Sequence, residues 1–237
     1  MKKILRPAVV CLLTLVALTG CSGYANVATM MASREWIRAC NIYVENILYE
    51  ESIFGRPQEA GYSLGSGVVF EANDNFCYAL TNWHVVEAEG YVSQAITVTD
   101  IEGNVAPASV ELMDKARDIA ILRYERKSPD TVCIDYHARE RRDLKDGELV
   151  FAVGNPGEIR NNVTFGLYQG MAYIKNVDYA VIHHSALIYE GNSGGALCDI
   201  DGNLVGLNTW GSEYSEEDSY AIPLSVILDF IAEWRAP

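Results

Sequence analysis

The chain has 237 residues, 49% of them apolar, which is enough for one large domain or two small ones with an ordinary hydrophobic core. It carries 18 Lys and Arg residues against 32 Asp and Glu residues, giving a formal net charge of −14. A surface of this sign repels phosphate backbones, which argues against nucleic-acid binding, and the scattered carboxylates are typical of a solvated surface.

The first twenty residues have the pattern of an export signal. Positive charges at Lys2, Lys3 and Arg6 precede an apolar run from Ala8 to Leu18. That run is too short to cross a bilayer core of about 30 Å as a helix. We therefore predict that residues 1–20 form a signal peptide and are not part of the folded domain.

The end of this signal resembles the lipobox of bacterial lipoproteins. Leu18-Thr19-Gly20-Cys21 places an aliphatic residue and two small residues before a cysteine, which would become the lipidated N-terminus. The alternatives are a secretory signal cut elsewhere or an incidental cysteine. With lipidation at Cys21, residues 21–33 form a tether, and the mature chain lies in the bacterial cell envelope, outside the cytoplasm and anchored to a membrane.

Four further cysteines remain in the exported part of the chain. Export permits disulfides, but four cysteines allow three pairings, and four free buried thiols are also compatible with the sequence. No cysteine or histidine cluster has the spacing of a zinc site, so no metal is expected. These cysteines are Cys40, Cys77, Cys133 and Cys198.

Short apolar or alternating runs, which are typical of strands, follow one another after residue 34. Turn sequences such as Asn73-Asp74-Asn75 and Asp201-Gly202-Asn203 separate them. Many short strands with little helix predict an all-β sandwich or barrel. The predicted strands are 40–44, 67–70, 77–81, 119–124, 149–153, 180–182 and 204–207.

Two stretches interrupt this β pattern. The charged residues 126–147 are predicted to connect two halves of the domain, whereas Pro223 to Trp234 has apolar residues at steps of three and four, typical of an amphipathic helix. The predicted domain spans residues 34–237. It comprises a first barrel at about 34–125, the connector at about 126–147, a second barrel at about 148–222 and a C-terminal helix at about 223–235.

Three segments carry residues typical of nucleophilic catalysis. They are Thr81-Asn82-Trp83-His84-Val85-Val86, Asp118-Ile119-Ala120-Ile121-Leu122 and Gly191-Asn192-Ser193-Gly194-Gly195. His84 and Asp118 are individually weak signals, since a core histidine and a strand-start aspartate are common. A serine between glycines is a stronger one, because a nucleophile needs a tight turn that exposes its hydroxyl and directs its amide toward an oxyanion. Together the segments supply a nucleophile, a base and an orienting acid.

From about residue 38 to 230 these segments and others resemble the trypsin-like peptidases, specifically the bacterial high-temperature-requirement (Deg-type) branch. The further matching segments are 64–69, 152–156, 196–197, 204–209 and 221–223. The resemblance implies two six-stranded β-barrels with the site between them. It also implies His84 as general base, Asp118 as orienting acid and Ser193 as nucleophile.

The resemblance assigns an oxyanion hole to the loop of Gly191, Asn192 and Ser193, formed by the amides of Gly191 and Ser193. Asp118 is preferred over Asp114 because only Asp118 directly precedes the apolar strand. The neutral Asn192 stands where zymogens of digestive trypsin-like enzymes have an Asp that pairs with a new N-terminus. Activation by such a cut is therefore not expected.

The predicted substrate site has two walls. One comprises Leu187, Ile188 and Tyr189, and the other comprises Thr209, Trp210 and Gly211, where an extended substrate would add as a strand. No acid stands where a trypsin-type pocket binds Arg or Lys. A small or medium aliphatic residue is therefore expected before the scissile bond, and His183 and His184 are interpreted as structural.

These features predict a serine endopeptidase that needs no cofactor, acts on exported proteins or peptides and serves quality control or regulated cleavage. A binding module with an idle protease fold and an esterase using the same residues are the alternatives. The chain ends soon after the predicted domain, so control by a PDZ module in the same chain is not expected. Members of this branch often form trimers, which makes a homo-oligomer a further expectation, although no trimer contact is evident.

Overall fold

The computed structural model describes most of the chain beyond the predicted signal, in five ranges: residues 30–52, 55–138, 143–157, 159–211 and 218–236. The predicted signal peptide, the lipidation site at Cys21 and most of the predicted tether lie outside these residues.

The N-terminal half forms a closed six-stranded barrel in which the strands are ordered β1-β2-β3-β6-β5-β4. A helix, α1, precedes the barrel, and a single helical turn, α2, follows β3. The elements are α1 at residues 30–39, β1 Asn41–Glu51, β2 Pro57–Ala72, β3 Phe76–Thr81, α2 Trp83–Val86, β4 Ser93–Thr99, β5 Val105–Asp114 and β6 Ile119–Glu125.

The C-terminal half forms a second closed six-stranded barrel, ordered β10-β11-β12-β9-β8-β7, and ends in a helix. All neighbouring strands in both barrels are antiparallel. The elements are β7 Leu149–Gly154, β8 Asn162–Ala172, β9 Val181–His184, β10 Ala196–Asp199, β11 Leu204–Gly211, β12 Ser219–Pro223 and α3 Leu224–Arg235.

The predicted fold class, two six-stranded barrels with a C-terminal helix, is confirmed. The predicted strands fall within β1, β2, β3, β6, β7, β9 and β11, apart from one residue at the start of the β1 and β9 segments. Five strands were missed. Two of them, β4 and β5, contain no more than two buried residues each, so they carry no apolar run. Strand β8 likewise contains only two buried residues, and four of its eleven residues are exposed.

Helix α1 begins inside the segment predicted as a tether, so the last four residues of that segment are folded. Ser33 and Ile37 are buried, and Ile37 belongs to the largest apolar cluster of the protein. An ideal Cβ built on Gly202 would lie 3.5 to 3.6 Å from Ser33, Trp36 and Ile37. Helix α1 is therefore packed against the turn between β10 and β11, which explains its order.

The charged connector is also packed against the protein. Its described residues, 126–138 and 143–147, contain no helix or strand, but Ile134 and Tyr136 are buried in the largest apolar cluster. The Ile134 amide donates to the Val69 carbonyl at 2.8 Å. Cys133 beside it is half-buried, and all four cysteines of the domain are free thiols.

Helix α3 forms at the predicted place and buries Leu224, Ile227, Phe230 and Ile231. On its other side Glu233 accepts a bidentate ion pair from Arg117, which precedes β6 of the first barrel. Helix α3 thus links the two halves. None of the helices among the described residues has the length and apolar character needed to span a membrane.

Candidate functional site

The fold brings the three candidate residues to the cleft between the barrels. His84 lies on α2 immediately after β3, and Asp118 immediately precedes β6, so both belong to the first barrel. Ser193 lies on the loop between β9 and β10 of the second barrel. The two barrels meet directly here, because the Ser66 amide of β2 donates to the Ser193 carbonyl at 2.8 Å.

His84 and Asp118 form a close hydrogen-bonded pair. His84 Nδ1 lies 2.8 Å from Asp118 Oδ2 and 3.1 Å from Oδ1. The backbone amide of His84 also donates to Asp118 Oδ1 at 3.0 Å. One carboxylate therefore binds both the ring and the backbone of the histidine, which fixes the ring orientation and leaves Nε2 as the free ring nitrogen.

Asp118 has an unusual backbone conformation. Its φ of 54° lies in the left-handed region, which few residues other than glycine adopt, although aspartate and asparagine tolerate it best. The next residue, Ile119, is fully buried in β6. The left-handed residue turns the chain sharply at the strand start, which directs the carboxylate back toward α2.

Ser193 Oγ donates to the Thr209 carbonyl across a long 3.4 Å contact. Among the described residues no hydrogen bond joins Ser193 Oγ to His84. Catalytic hydrogen bonds are often long in enzymes without bound substrate and tighten in the reactive complex. The hydroxyl thus has to turn away from Thr209 before His84 can take its proton.

The glycines of the Ser193 loop are required by its backbone. Gly191 and Gly194 have φ of 96° and 84°. A Cβ on Gly194 would lie 2.2 Å from the Ser66 carbonyl oxygen, and a Cβ on Gly195 would lie 2.0 Å from the Val153 carbonyl oxygen. Any side chain at these positions would push the loop out of its conformation.

Within this loop the amides of Gly191 and Ser193 make no hydrogen bond to the described residues. The Asn192 amide donates to the Tyr189 carbonyl at 2.9 Å. The Asn192 amide is thus occupied in closing the turn, and Asn192 belongs to the predicted oxyanion loop without offering a free amide. Gly191 and Ser193 remain as the two available donors.

Ser66 holds the same loop from the first barrel. Its hydroxyl donates to the Gly191 carbonyl at 2.7 Å and accepts from the amide of Asn155 at 2.9 Å. Asn155 adds a second donor to this hydroxyl and a bond to the Ile42 carbonyl. This buried network sets the direction of the Gly191 peptide and thus the shape of the loop.

The two predicted pocket walls face each other. Ile188 is buried, Leu187 is half-buried, and an ideal Cβ on Gly211 would lie 3.5 Å from the Ile188 carbonyl oxygen. Trp210 differs from these residues, since its side chain packs against the largest apolar cluster. Tyr189 is 54% exposed, so its ring lies at the rim of the site and does not line it.

The far edge of β11 is open where a substrate strand was predicted to add. Strand β10 pairs with β11 only as far as Leu207, whereas β12 pairs with the other edge through Gly211. Asn208 uses its backbone groups to bind Gly194 and Gly195. The following residues, 209–211, have no strand neighbour on that side among the described residues.

His184 is fully buried in the second barrel, and neither ring nitrogen has a hydrogen-bond partner within the part of the chain that the structure describes. Burial, aided by the neighbouring charge of His183, lowers the pKa of His184 to about 3, and the backbone of Ala186 opposes this shift. His183 instead lies 2.8 Å from Asp218 and stacks on Tyr220. Both positions agree with the structural interpretation of these residues.

Two residues of the site were missed from the sequence. Ser66 and Asn82 lie inside segments that resemble the trypsin-like peptidases, but no role was predicted for either of them. The only available signal was a polar residue within an apolar segment, since both side chains are fully buried and such groups need partners.

Known proteins are similar to this chain in both sequence and fold. A family model described as trypsin-like peptidase domain matches residues 65–207. Serine protease HTRA3 of Rattus norvegicus is 30% identical over 210 residues, which cover 85% of this chain and 43% of that protein. Serine protease HTRA4 of Mus musculus is 32% identical over 184 residues, covering 75% of this chain and 36% of that protein. The chain thus spans less than half the length of these curated relatives.

Two solved structures resemble this protein over 86% of its chain. A serine endoprotease from Yersinia pestis has a TM-score of 0.66 and 27% identity, with 66% of that chain covered. An HtrA-type protease, AlgW, solved with a tripeptide, has a TM-score of 0.68 and 25% identity, with 62% of that chain covered. Because the family model matches more than half of the sequence, and HtrA-type serine proteases recur among its relatives, the chain belongs to the trypsin-like peptidase family.

Proposed function

We propose that this protein is a serine endopeptidase in which Ser193, His84 and Asp118 form the catalytic triad. The observation that carries the proposal is the 2.8 Å contact between His84 Nδ1 and Asp118, because it leaves Nε2 of an oriented histidine as the base. Ser193 lies across the cleft on a glycine-rich turn that leaves two amides unbonded. No cofactor is needed for this chemistry.

The reaction proceeds by acyl transfer. His84 Nε2 takes the proton of Ser193 Oγ as this oxygen bonds to the peptide carbonyl carbon, whose own oxygen becomes the oxyanion. The C–N bond then breaks, and His84 gives the proton to the leaving amine. Water hydrolyses the acyl-enzyme by the same route, and Ser193 regains its proton. Asp118 stays ionised and holds the protonated ring.

The oxyanion is bound by the amides of Gly191 and Ser193. Loss of one such donor typically costs 10² to 10³ in kcat, about 3 to 4 kcal/mol, which shows how much the loop conformation contributes. Ser66 acts on that conformation through the Gly191 carbonyl. The loop is thus built in one barrel and held by the other.

The substrate is an extended peptide that adds to the open edge at residues 209–211 as a further strand. Leu187 and Ile188 present an apolar wall, and Gly211 opposite leaves room beside it. These features favour a small or medium aliphatic residue before the scissile bond. Exported proteins, cleaved for quality control or regulation, are the proposed substrates.

The test is labelling with a fluorophosphonate probe together with peptide-library cleavage by the domain and its Ser193→Ala variant. We expect labelling at Ser193, cleavage after aliphatic residues, and a loss of at least about 10⁴-fold in kcat for the variant. A folded protein that binds peptides but neither labels nor cleaves would instead be a binding module, the reading that the long Ser193–Thr209 contact favours. Cleavage of esters without cleavage of peptides would identify an esterase.

We further propose that Cys21 is lipidated and anchors the domain to a membrane of the bacterial cell envelope. The support is the sequence before it, since Cys21 lies outside the described residues. Mass spectrometry of the N-terminal peptide should show a diacylglyceryl modification on Cys21. The Cys21→Ala variant should leave the membrane fraction. An unmodified cysteine in a membrane fraction would refute the lipid anchor.

A homo-oligomer is also proposed. The outer face of β8 exposes Phe165, Leu167 and Met171, each about half accessible, and Tyr173 follows. Apolar residues grouped in this way are typical of surfaces that a partner covers. Light scattering after size exclusion should give a mass above that of the monomer, and Leu167→Lys should lower it.

A further inference from the structure

Asn82 occupies the position where a helix is normally capped by its own side chain. It is the N-cap residue of α2, yet its side chain makes no capping hydrogen bond. Asparagine is favoured at this position because its side-chain oxygen accepts from an amide of the first turn. Here Asp118 Oδ1 accepts from the His84 amide at 3.0 Å. The acid of the triad has taken over the capping role, and Asn82 is left free for another contact.

The Asn82 side chain points instead to the two halves of the site. Its Nδ2 donates to the Asp118 carbonyl at 2.7 Å and to Thr209 Oγ1 at 3.0 Å. The Thr209 hydroxyl donates a hydrogen bond to the Leu207 carbonyl at 2.9 Å, so its oxygen is the acceptor in the contact with Asn82. The carbonyl of Thr209 accepts the hydrogen bond from Ser193 Oγ. One fully buried amide group therefore binds Asp118 directly and also binds Thr209, the hydrogen-bond partner of Ser193.

The contact to Asp118 is directed at its strained backbone. A non-glycine residue with φ of 54° persists only when its surroundings hold it. The Asp118 carbonyl is held by Asn82, and its carboxylate is held by His84. Without the Asn82 donor, the left-handed turn loses the bond on its backbone side, and the carboxylate is free to rotate away from α2.

The cost of this arrangement is visible in Asn82 itself. Its Oδ1 is buried and has no hydrogen-bond partner among the described residues. An unpaired buried oxygen destabilises a fold, so an apolar residue would suit the packing alone. The amide is placed for its two donor contacts, which both serve the catalytic cleft.

We propose that Asn82 is a positioning residue that fixes the backbone of Asp118 and couples it to Thr209 of the second barrel. It acts through these two residues and does not touch the substrate. This inference rests on the proposed peptidase function. It extends that function by assigning to one side chain the alignment of acid, base and nucleophile across the cleft.

The test compares Asn82→Ala and Asn82→Asp with a matched control, Ile121→Val. Ile121 is fully buried in β6, the strand that Asp118 precedes, and its side chain takes part in none of the hydrogen bonds described above. Asn82→Asp keeps the size of the side chain but replaces the donor by an acceptor. Because a misplacement of about 1 Å costs about 10²-fold in rate, both Asn82 variants should lose about a hundredfold in kcat, with KM within about threefold of wild type.

A second measurement separates positioning from loss of stability. The proton between His84 Nδ1 and Asp118 gives a low-field ¹H NMR resonance, which should shift or broaden in both Asn82 variants and stay unchanged in Ile121→Val. If kcat and this resonance are those of the control, Asn82 is structural only and the inference is refuted. If the wild-type protein itself neither labels nor cleaves, the peptidase proposal has failed instead.

Discussion

The buried histidine of the second barrel makes the stability of the protein depend on pH in a defined window. His184 is fully buried without a hydrogen-bond partner among the described residues, and burial lowers its pKa to about 3, whereas its pKa in an unfolded chain is about 6.5. Below pH 6.5 the unfolded state binds a proton that the folded state rejects. Stability is therefore fully present above pH 6.5 and is lost progressively as the pH falls toward 3.

The size of this effect follows from linkage. Each unit of pH below 6.5 costs about 1.4 kcal/mol until the folded pKa is reached, so at pH 5 the loss is about 2 kcal/mol. With a urea m-value of about 2 kcal/mol/M, the unfolding midpoint should fall by about 1 M between pH 8 and pH 5. Carboxylates that titrate in the same range add to this loss in every variant.

The assay is urea unfolding at several pH values for the wild type, His184→Leu and His183→Gln. At pH 8 His184→Leu should be as stable as the wild type or more stable by about 1 kcal/mol, because it removes two unpaired buried nitrogens. The difference in unfolding free energy in favour of His184→Leu should be about 2 kcal/mol larger at pH 5 than at pH 8. His183→Gln, which removes a partly exposed histidine beside it, should keep most of the wild-type slope. A constant difference between wild type and His184→Leu across this range would refute the reasoning.

Three further substitutions test separate parts of the structure. Ser66→Ala removes the hydroxyl bound to the Gly191 carbonyl and should lower kcat about tenfold at unchanged KM; an unchanged kcat would show that the loop holds itself. Gly166→Ala would place a Cβ 1.9 Å from the Ala186 nitrogen and should cost about 3 kcal/mol or more in thermal unfolding, whereas a wild-type melting temperature would contradict this packing. Arg117→Ala removes the ion pairs to Glu233 of α3 and to Asp114 and should lower the unfolding midpoint slightly, by less at high salt; a loss that salt does not change would point to packing instead.

Most of the strands predicted from the sequence are largely buried, although the short buried strands β10 and β12 were missed. Strand β6, with Ile119 to Leu122 fully buried, reads as an apolar run. Strand β5 escaped detection because Val105 and Met113 are exposed and only one of its ten residues is buried. Helix α1 was missed because it begins within the segment that follows the signal peptide. No helical periodicity of apolar residues stands out there, although Ile37 is buried.

The candidate residues of the site could be predicted, but not how they are held. Residue type and order identify His84, Asp118 and Ser193, because a nucleophile, a base and an acid are chemically distinctive. The left-handed backbone of Asp118 leaves no such signal, since aspartate adopts many conformations. The direction of the Asn82 amide was equally invisible, because local preference predicts a helix cap and a contact across the cleft overrides it.

The site is joined across the cleft by hydrogen bonds from buried side chains of the first barrel. Ser66 binds the Gly191 carbonyl with its hydroxyl and the Ser193 carbonyl with its amide, and Asn82 binds Thr209. Each of these bonds contributes about 1 kcal/mol to folding. A shift of either barrel by an ångström would break them, and such a shift costs about two orders of magnitude in rate. Changes between the barrels should therefore reduce catalysis well before they unfold the protein.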